Sequence, residues 1–235
     1  MALVEDVIEV ADLTRDGAVL EVGCGTGQAT RAFARLGVDI VAVEPGAALA
    51  RLARRRLAAY PNAAVVETAF EAWRMEPGVF RLVIAAQSWH WIAPDVRFAK
   101  AAEALCPGGV LAVFGHAPMP PPAPIAQAFE AVFARLAPEL WTEPPENWYL
   151  PSGPLPGLFA GSGRFAPVMH KAYRWSVVRT AASLADYLRT TSPFQRLEPP
   201  RREALLAALA QAVAANGGRF EHAWETHLHM ARLAG

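Results

Sequence analysis

The stretch Val19-Leu-Glu-Val-Gly-Cys-Gly-Thr-Gly-Gln-Ala-Thr30 places three glycines in five positions, directly after a short apolar run and directly before a helical pattern. Glycine has no Cβ atom, so a glycine-rich turn lets the main chain bend sharply and approach a ligand closely. Acidic residues precede and follow the turn, with Glu21 before the glycines and Glu44 well after them. The arrangement indicates a ligand-binding loop at the end of a buried strand.

Strand-like and helical patterns alternate through the first half of the chain. Five apolar runs have the length of strands and are largely continuous in apolar character, which is typical of parallel strands covered on both faces. These runs are Ala18–Val22, Asp39–Val43, Ala63–Val66, Arg81–Ala86 and Val110–Phe114. The helical patterns between them are Gln28–Leu36, Ala47–Tyr60 and Val96–Leu105. The alternation predicts an α/β fold with a doubly wound, Rossmann-like sheet.

The pattern changes after His116, where a proline-rich segment, Pro118-Met-Pro-Pro-Pro-Ala-Pro124, begins. An amphipathic helix and an aromatic segment rich in proline and glycine follow it. Two last strands are then predicted at Ala172–Val178 and His222–Met230, with two helices between them. We therefore expect a mostly parallel sheet with an antiparallel last strand.

These patterns divide the chain into three expected parts. Residues 1–117 form the cofactor-binding α/β half. Residues 118–170 form a small cap on the substrate side, inserted after the fifth strand. Residues 171–235 supply the last strands and helices that complete the sheet. Ligands of doubly wound sheets bind beyond the carboxyl ends of the strands, and the glycine loop lies at that place.

Composition argues against several classes of partner. The chain has 235 residues with 22 Lys+Arg and 22 Asp+Glu, so a zero net charge favours neither nucleic acid nor an anionic membrane surface. Cys24 and Cys106 have neither local pairing nor metal-ligand spacing, so we expect no disulfide framework and no metal. The N-terminus does not resemble a signal peptide, and no apolar run is long enough to span a membrane. We expect a cytoplasmic protein that acts on a small molecule; the sequence leaves its oligomeric state open.

The spacing of the glycines distinguishes two kinds of cofactor. The dinucleotide fingerprint G-x-G-x-x-G brings a pyrophosphate onto a helix N-terminus, whereas this chain has G-x-G-x-G at Gly23, Gly25 and Gly27. Glu44 ends the second predicted strand, where an acidic residue bridges ribose hydroxyls in nucleoside-binding α/β folds. A nicotinamide-dependent oxidoreductase shares the expected fold but not this spacing, and it is the less favoured alternative.

The run Val19–Gly27, with Val41–Glu44, resembles the motifs of class I S-adenosylmethionine-dependent methyltransferases. The stretches Leu82–Ile92 and Ala104–Val113 are similar to a small-molecule branch that includes the trans-aconitate and quinone-type methyltransferases. The resemblance covers Ala18–Phe114. It implies methyl transfer from S-adenosylmethionine to an oxygen, nitrogen or carbon acceptor, with S-adenosylhomocysteine as product. A protein that binds this cofactor without transferring methyl, as a sensor or regulator, is the alternative from another class.

The resemblance also implies which residues hold the cofactor. The methionine part is expected against Gly23, Cys24, Gly25 and Gly27, the ribose on Glu44, the adenine beside Pro45, Ala69 and Phe70, and the methionine amino group at Ala86 and Gln87. Glu21 either receives a cationic group or braces the loop.

Candidates for the acceptor side follow the fourth and fifth strands and lie in the cap. His90 can accept a proton from a hydroxyl or amine, because the ordinary pKa of histidine is about 6.5, or it packs against the sheet edge. His116 has the same two interpretations. Trp91 is compatible with a sulfonium nearby. Trp141, Trp148 and Tyr149 form either an aromatic wall for the substrate or part of the cap's core. A carboxylate acceptor would need no general base.

Overall fold

A computed structural model describes residues 2–140 and 145–235. Its helices are α1 (Ala2–Ala11), α2 (Gln28–Ala34), α3 (Ala47–Leu57), α4 (Arg97–Ala104), α5 (Ala123–Leu136), α6 (Leu155–Gly161), α7 (Ala181–Arg189), α8 (Ser192–Gln195) and α9 (Pro199–Ala215). Its strands are β1 (Ala18–Val22), β2 (Asp39–Val43), β3 (Ala63–Val66), β4 (Phe80–Ala86), β5 (Leu105–Pro118), β6 (Met169–Thr180) and β7 (Arg219–Arg232). None of these helices has both the length and the apolar character that crossing a membrane requires.

The seven strands form one sheet in the order β3-β2-β1-β4-β5-β7-β6. β1 pairs in parallel with β2 and β4, β2 with β3, and β4 with β5. The strand order reverses between β1 and β4, because the chain leaves β3 and crosses to the other side of β1. The predicted doubly wound, Rossmann-like sheet is confirmed. Its switch point lies beside the glycine loop that follows β1.

The end of the sheet around β7 is antiparallel. The Leu233 N–H donates to the Gly109 carbonyl at 2.8 Å, and the Met119 N–H donates to the Ala223 carbonyl at 2.9 Å. Residue numbers therefore rise along β5 while they fall along β7. The predicted antiparallel end of a mostly parallel sheet is confirmed as well.

Both faces of the parallel strands are buried, which explains their continuous apolar sequence. Successive residues of a strand point to opposite faces of the sheet. Val83 and Ile84 of β4 accordingly belong to two different hydrophobic clusters. One cluster includes Phe33 of α2, and the other includes Phe98 of α4 and Phe159 of α6. Helices thus cover each face and fix the strand ends that carry the site.

The chain divides into two compact units. The first comprises the residues up to His116 together with Trp148–Tyr173 and Thr226–Gly235, and the second comprises Ala117–Asn147 and Arg174–Glu225. The second unit has its own hydrophobic core, built by side chains of α5, α7, α8 and α9. The functional division into residues 1–117, 118–170 and 171–235 stays a prediction.

Three helices were not predicted from the sequence: α1, α6 and the short α8. α1 buries Val7 and Ala11 on one face, and their spacing of four residues was a readable helical signal. α6 lies in a segment whose prolines and glycines suggested irregular structure, yet it buries Leu155 and Phe159. In α6, packing of two apolar side chains outweighs the low helix propensity of glycine.

Candidate cofactor and acceptor site

The glycine loop after β1 is held in a backbone conformation that favours glycine. Gly23, Gly25 and Gly27 have φ angles of 70°, 55° and 80°, in the left-handed region that other residues rarely adopt. The N–H groups of Gly23 and Cys24 donate to the Val43 carbonyl at 2.9 and 3.1 Å. The loop is therefore fixed to the end of β2, as a binding loop at the switch point must be.

Two of these glycines have different surroundings. A Cβ atom at Gly23 would lie 2.6 Å from the Ser88 Cβ atom, so the loop packs directly on the segment that follows β4. A Cβ atom at Gly25 would meet no atom within 4 Å. The bare backbone at Gly25 therefore borders open space that a side chain would enter. A ligand of the loop requires such an open space beside the backbone, and this geometry fits the predicted binding of S-adenosylmethionine.

The Glu44 carboxylate is tied to the same loop. Its Oε2 accepts the Gly25 N–H at 2.8 Å, and its Oε1 accepts the Gly46 N–H at 2.8 Å. A carboxylate oxygen can accept more than one hydrogen bond, so Glu44 keeps acceptor capacity for two ribose hydroxyls. The structure thus brings Glu44 together with Gly25, as predicted, and places the exposed Pro45 directly beside it.

Two buried ionisable side chains belong to β1 and the loop, Glu21 and Cys24. Glu21 is 1% exposed and accepts the Thr30 hydroxyl at 2.6 Å, so its carboxyl braces the start of α2. Burial raises the pKa of Glu21 to about 8, and this group is mostly protonated at neutral pH. Burial also raises the pKa of the Cys24 thiol to about 12, which makes it a poor nucleophile. Cofactor contact by either residue stays a prediction.

The predicted adenine segment is held near Glu44 through its backbone. The Thr68 N–H donates to the Glu44 carbonyl at 3.1 Å, which places Ala69 next to the end of β2. The Phe70 side chain is buried in the hydrophobic cluster that contains Val83. Its ring therefore packs in the core, and the half-buried Ala69 is the more accessible of the two.

The turn after β4 has unusual backbone geometry at a predicted site residue. Gln87 has a φ angle of 58°, in the left-handed region. Its N–H donates to the Phe114 carbonyl at 2.9 Å, and its side-chain amide donates to the His116 carbonyl at 3.4 Å. Such a conformation costs on the order of 1–3 kcal/mol and tends to occur at functional sites. Ala86 precedes it as the last residue of β4.

His90 lies in a 3₁₀ turn, Trp89–Trp91, and contacts aromatic rings. Its Nδ1 is 2.9 Å from the hydroxyl of Tyr149, and the ring centroids of Trp91 and Trp148 are 4.9 and 6.2 Å away. Burial lowers the pKa of His90, so the neutral imidazole predominates at neutral pH. The structure therefore brings three predicted residues, His90, Trp91 and Tyr149, into one cluster.

Both the side chain and the backbone carbonyl of Tyr149 are held by neighbouring residues. Its ring is fully buried, and its carbonyl accepts a hydrogen bond from the buried His229 Nε2 at 2.7 Å. A Cβ atom at Gly115 of β5 would lie 2.7 Å or less from three carbon atoms of the Tyr149 ring. Only glycine at position 115 leaves room for this ring.

His116, another residue predicted on the acceptor side, lies in β5. The Nδ1 atom of His116 is 2.7 Å from the Thr226 hydroxyl, and burial lowers the pKa of His116. Its carbonyl also accepts the amide of Gln87, which joins it to the turn after β4. Trp141 lies outside the described residues.

The structure adds two residues that the sequence did not single out, Ser88 and Arg97, and it shows the contacts of the predicted Trp148. The buried Ser88 donates its hydroxyl to the Val22 carbonyl and thereby joins the ends of β4 and β1. Trp148 contacts both His90 and Arg97. Arg97 begins α4 and is buried. An arginine in an amphipathic helical pattern usually lies on the solvated face, so no sequence signal marked Arg97.

Comparison with known proteins supports the interpretation of this geometry. Residues 19–109 match the family model of a methyltransferase domain. An uncharacterized methyltransferase of Mycobacterium tuberculosis is 33% identical over 93 residues, which are 40% of this chain and 37% of that relative. The match to this relative thus spans little more than a third of its length.

Solved structures share the fold over the whole chain. A protein of Anaeromyxobacter dehalogenans, assigned as a type II methyltransferase, is 25% identical with a TM-score of 0.64 over 98% of this chain and 95% of that chain. Phosphoethanolamine N-methyltransferase 2 of Haemonchus contortus, solved with phosphomonomethylethanolamine and S-adenosylhomocysteine, is 13% identical with a TM-score of 0.56 over 100% of this chain and 53% of that chain. Residues 19–109 are thus similar to a methyltransferase domain, and the chain shares its fold with solved structures of methyltransferases.

Proposed function

We propose that the protein transfers the methyl group of S-adenosylmethionine to a small-molecule acceptor by in-line displacement. The observation that carries the proposal is the pairing of the Glu44 carboxylate with the Gly25 N–H beside open space at the switch point of the sheet. The sequence resemblance favours the small-molecule branch with the trans-aconitate and quinone-type enzymes. A zero net charge favours a small-molecule partner over nucleic acid, and we propose a cytoplasmic location.

The cofactor residues in this proposal follow the strand ends. Backbone groups of the Gly23–Gly27 loop accommodate the methionine part, and Glu44 accepts the ribose hydroxyls. Pro45, Ala69 and Phe70 flank the adenine, while Ala86 and Gln87 hold the methionine amino group. When bound, S-adenosylmethionine supplies an electrophilic methyl group, so the chain has to bind and orient the reactants, exclude water and, for a hydroxyl or amine acceptor, remove a proton.

His90 is the residue proposed to remove a proton from a hydroxyl or amine acceptor. A neutral imidazole has one nitrogen that donates and one that accepts. If the Nδ1–H of His90 donates to the Tyr149 hydroxyl, Nε2 carries the basic lone pair. Tyr149 then acts as a positioning residue that selects this tautomer, and the lowered pKa of His90 keeps its imidazole neutral.

The proposal is tested by incubating the protein with S-adenosylmethionine and a panel of carboxylic acids, phenols and amines, followed by mass spectrometry. We expect one acceptor class to yield a methylated product with an equal amount of S-adenosylhomocysteine. For a phenol or amine, His90→Gln should lower kcat by about a hundredfold or more, because a general base is lost. For a carboxylate, this substitution should leave kcat nearly unchanged.

The two alternative functions, a cofactor sensor and an oxidoreductase, predict different results in binding and product measurements. Binding of S-adenosylhomocysteine without product from any acceptor class would indicate a non-catalytic cofactor sensor. Thermal stabilisation by NAD and not by S-adenosylhomocysteine would indicate an oxidoreductase instead.

A further inference from the structure

Arg97 is a buried cation without a counter-charge in the described part of the chain. The residue is 3% exposed, and its Nε atom is buried without a hydrogen-bond partner. Among residues 2–140 and 145–235, no hydrogen bond or ion pair of its guanidinium is present. Its Cζ atom lies 4.8 Å from the Trp148 ring centroid and 5.8 Å from that of Phe98.

The described residues around Arg97 offset its charge only by contacts with aromatic rings. An uncompensated buried ion costs several kcal/mol, whereas a cation–π contact returns about 2 kcal/mol. Arg97 is also the first residue of α4, where the positive end of the helix dipole disfavours a cation. Burial accordingly lowers the pKa of Arg97, yet a guanidinium remains charged. An anion beside Arg97 would remove this cost.

Arg97 belongs to the same cluster as the proposed base. The Trp148 ring that contacts the guanidinium is also 6.2 Å from the His90 ring. Both groups therefore contact the same indole ring, and a small molecule that packs on this ring would lie beside both.

We propose that Arg97 binds a carboxylate or phosphate group of the methyl acceptor. A planar guanidinium binds either group through two parallel N–H···O hydrogen bonds. The proposal rests on the proposed methyl transfer and specifies its substrate: a small anionic molecule whose apolar or aromatic body packs on Trp148. The atom that receives the methyl group lies at the end of this molecule away from its anion.

The test uses the full chain saturated with S-adenosylhomocysteine and three probes: phenylacetate, phenyl phosphate and the neutral phenylacetamide. Isothermal titration should show binding of at least one anion and no binding of the amide. Arg97→Gln should weaken anion binding by about tenfold or more, since a charge-assisted bidentate pair is lost. The exposed Arg51→Gln is the matched control and should bind as the wild type does. The preferred anion identifies the group as carboxylate or phosphate.

Three results would overturn the inference while the proposed function stands. The first is equal anion affinity of wild type and Arg97→Gln. The second is the absence of anion binding by a protein that binds S-adenosylhomocysteine. The third is a loss of S-adenosylhomocysteine affinity in Arg97→Gln, which would assign Arg97 to the cofactor's own carboxylate. Failure of the wild type to bind S-adenosylhomocysteine would instead contradict the proposed function.

Two further measurements distinguish the loss of an anion site in Arg97→Gln from a folding defect. Thermal unfolding of Arg97→Gln should occur at or above the wild-type temperature, because an unpaired buried charge is removed. In the protein loaded with S-adenosylhomocysteine, the anion that binds in the titration should raise the unfolding temperature of the wild type and leave that of Arg97→Gln nearly unchanged. An equal rise in both proteins would count against the proposal.

Discussion

At the residue scale, Glu21 is a buried acid just before the glycine loop, and burial changes the pH at which its carboxyl loses a proton. Its carboxyl lies at the end of β1, fully enclosed, with the Thr30 hydroxyl as its hydrogen-bond donor. Burial disfavours the charged form and raises the pKa of Glu21 to about 8, and the nearby Glu44 acts in the same direction. Folding therefore selects a protonated acid at a place where the sequence suggested a carboxylate.

The raised pKa of Glu21 predicts that the free energy of unfolding depends on pH. The unfolded chain loses the Glu21 proton near pH 4.5, whereas the folded chain keeps it until about pH 8. The contribution of Glu21 to stability is thus fully present below pH 4.5 and is lost as the pH rises toward 8. Glu21→Gln, which is never charged, should be more stable than the wild type at pH 8 by on the order of 4 kcal/mol. The two proteins should differ little at pH 4.5.

Urea unfolding at several pH values measures this difference. The exposed Glu5→Gln serves as the control and should follow the wild type throughout. If the difference in unfolding free energy between Glu21→Gln and the wild type is the same at pH 4.5 and at pH 8, the carboxyl of Glu21 is ionised in the folded chain.

At the scale of elements, β5 positions the proposed acceptor side of the site. Gly115 in this strand makes room for the ring of Tyr149, whose hydroxyl contacts the Nδ1 atom of His90. Phe114 and His116 on either side of Gly115 accept hydrogen bonds from Gln87 through their carbonyls. Three consecutive residues of one strand therefore organise the turn after β4.

Gly115→Ala tests this arrangement. The new Cβ atom would overlap the root of the Tyr149 ring, which is buried and cannot swing aside, so the overpacking should cost about 1–3 kcal/mol. Displacement of Tyr149 should also shift the pKa of His90, which NMR titration of its ring protons measures. Gly157→Ala in α6 is the matched control, because its Cβ atom meets nothing within 4 Å. Full stability and an unchanged His90 titration in Gly115→Ala would contradict the role of β5.

At the scale of the whole molecule, local patterns predicted the sheet well. β1, β2 and β3 begin and end at the predicted residues, since strands buried on both faces appear as continuous apolar runs. The close pairing of Glu44 with the glycine loop was also expected, because parallel strands bring their carboxyl ends to one edge. β5 extends beyond the prediction at both ends, because strand pairing continues past its apolar centre.

The acceptor side was less predictable. Its cluster joins the turn after β4, the segment around Trp148 and the first turn of α4, which are far apart in the chain. No spacing rule connects them. The protonated state of Glu21 and the buried charge of Arg97 likewise depend on side chains from several elements, so they appear only in three dimensions.

The central claim is that the Gly23–Gly27 loop and Glu44 bind S-adenosylmethionine for methyl transfer. The most direct measurement is isothermal titration of S-adenosylhomocysteine into the wild type, Glu44→Ala and the exposed control Glu76→Ala. The wild type and Glu76→Ala should bind equally, and Glu44→Ala should lose about 1–3 kcal/mol of binding free energy as the hydrogen bonds to a buried carboxylate disappear. Unchanged affinity in Glu44→Ala, or no binding by the wild type, would contradict the account.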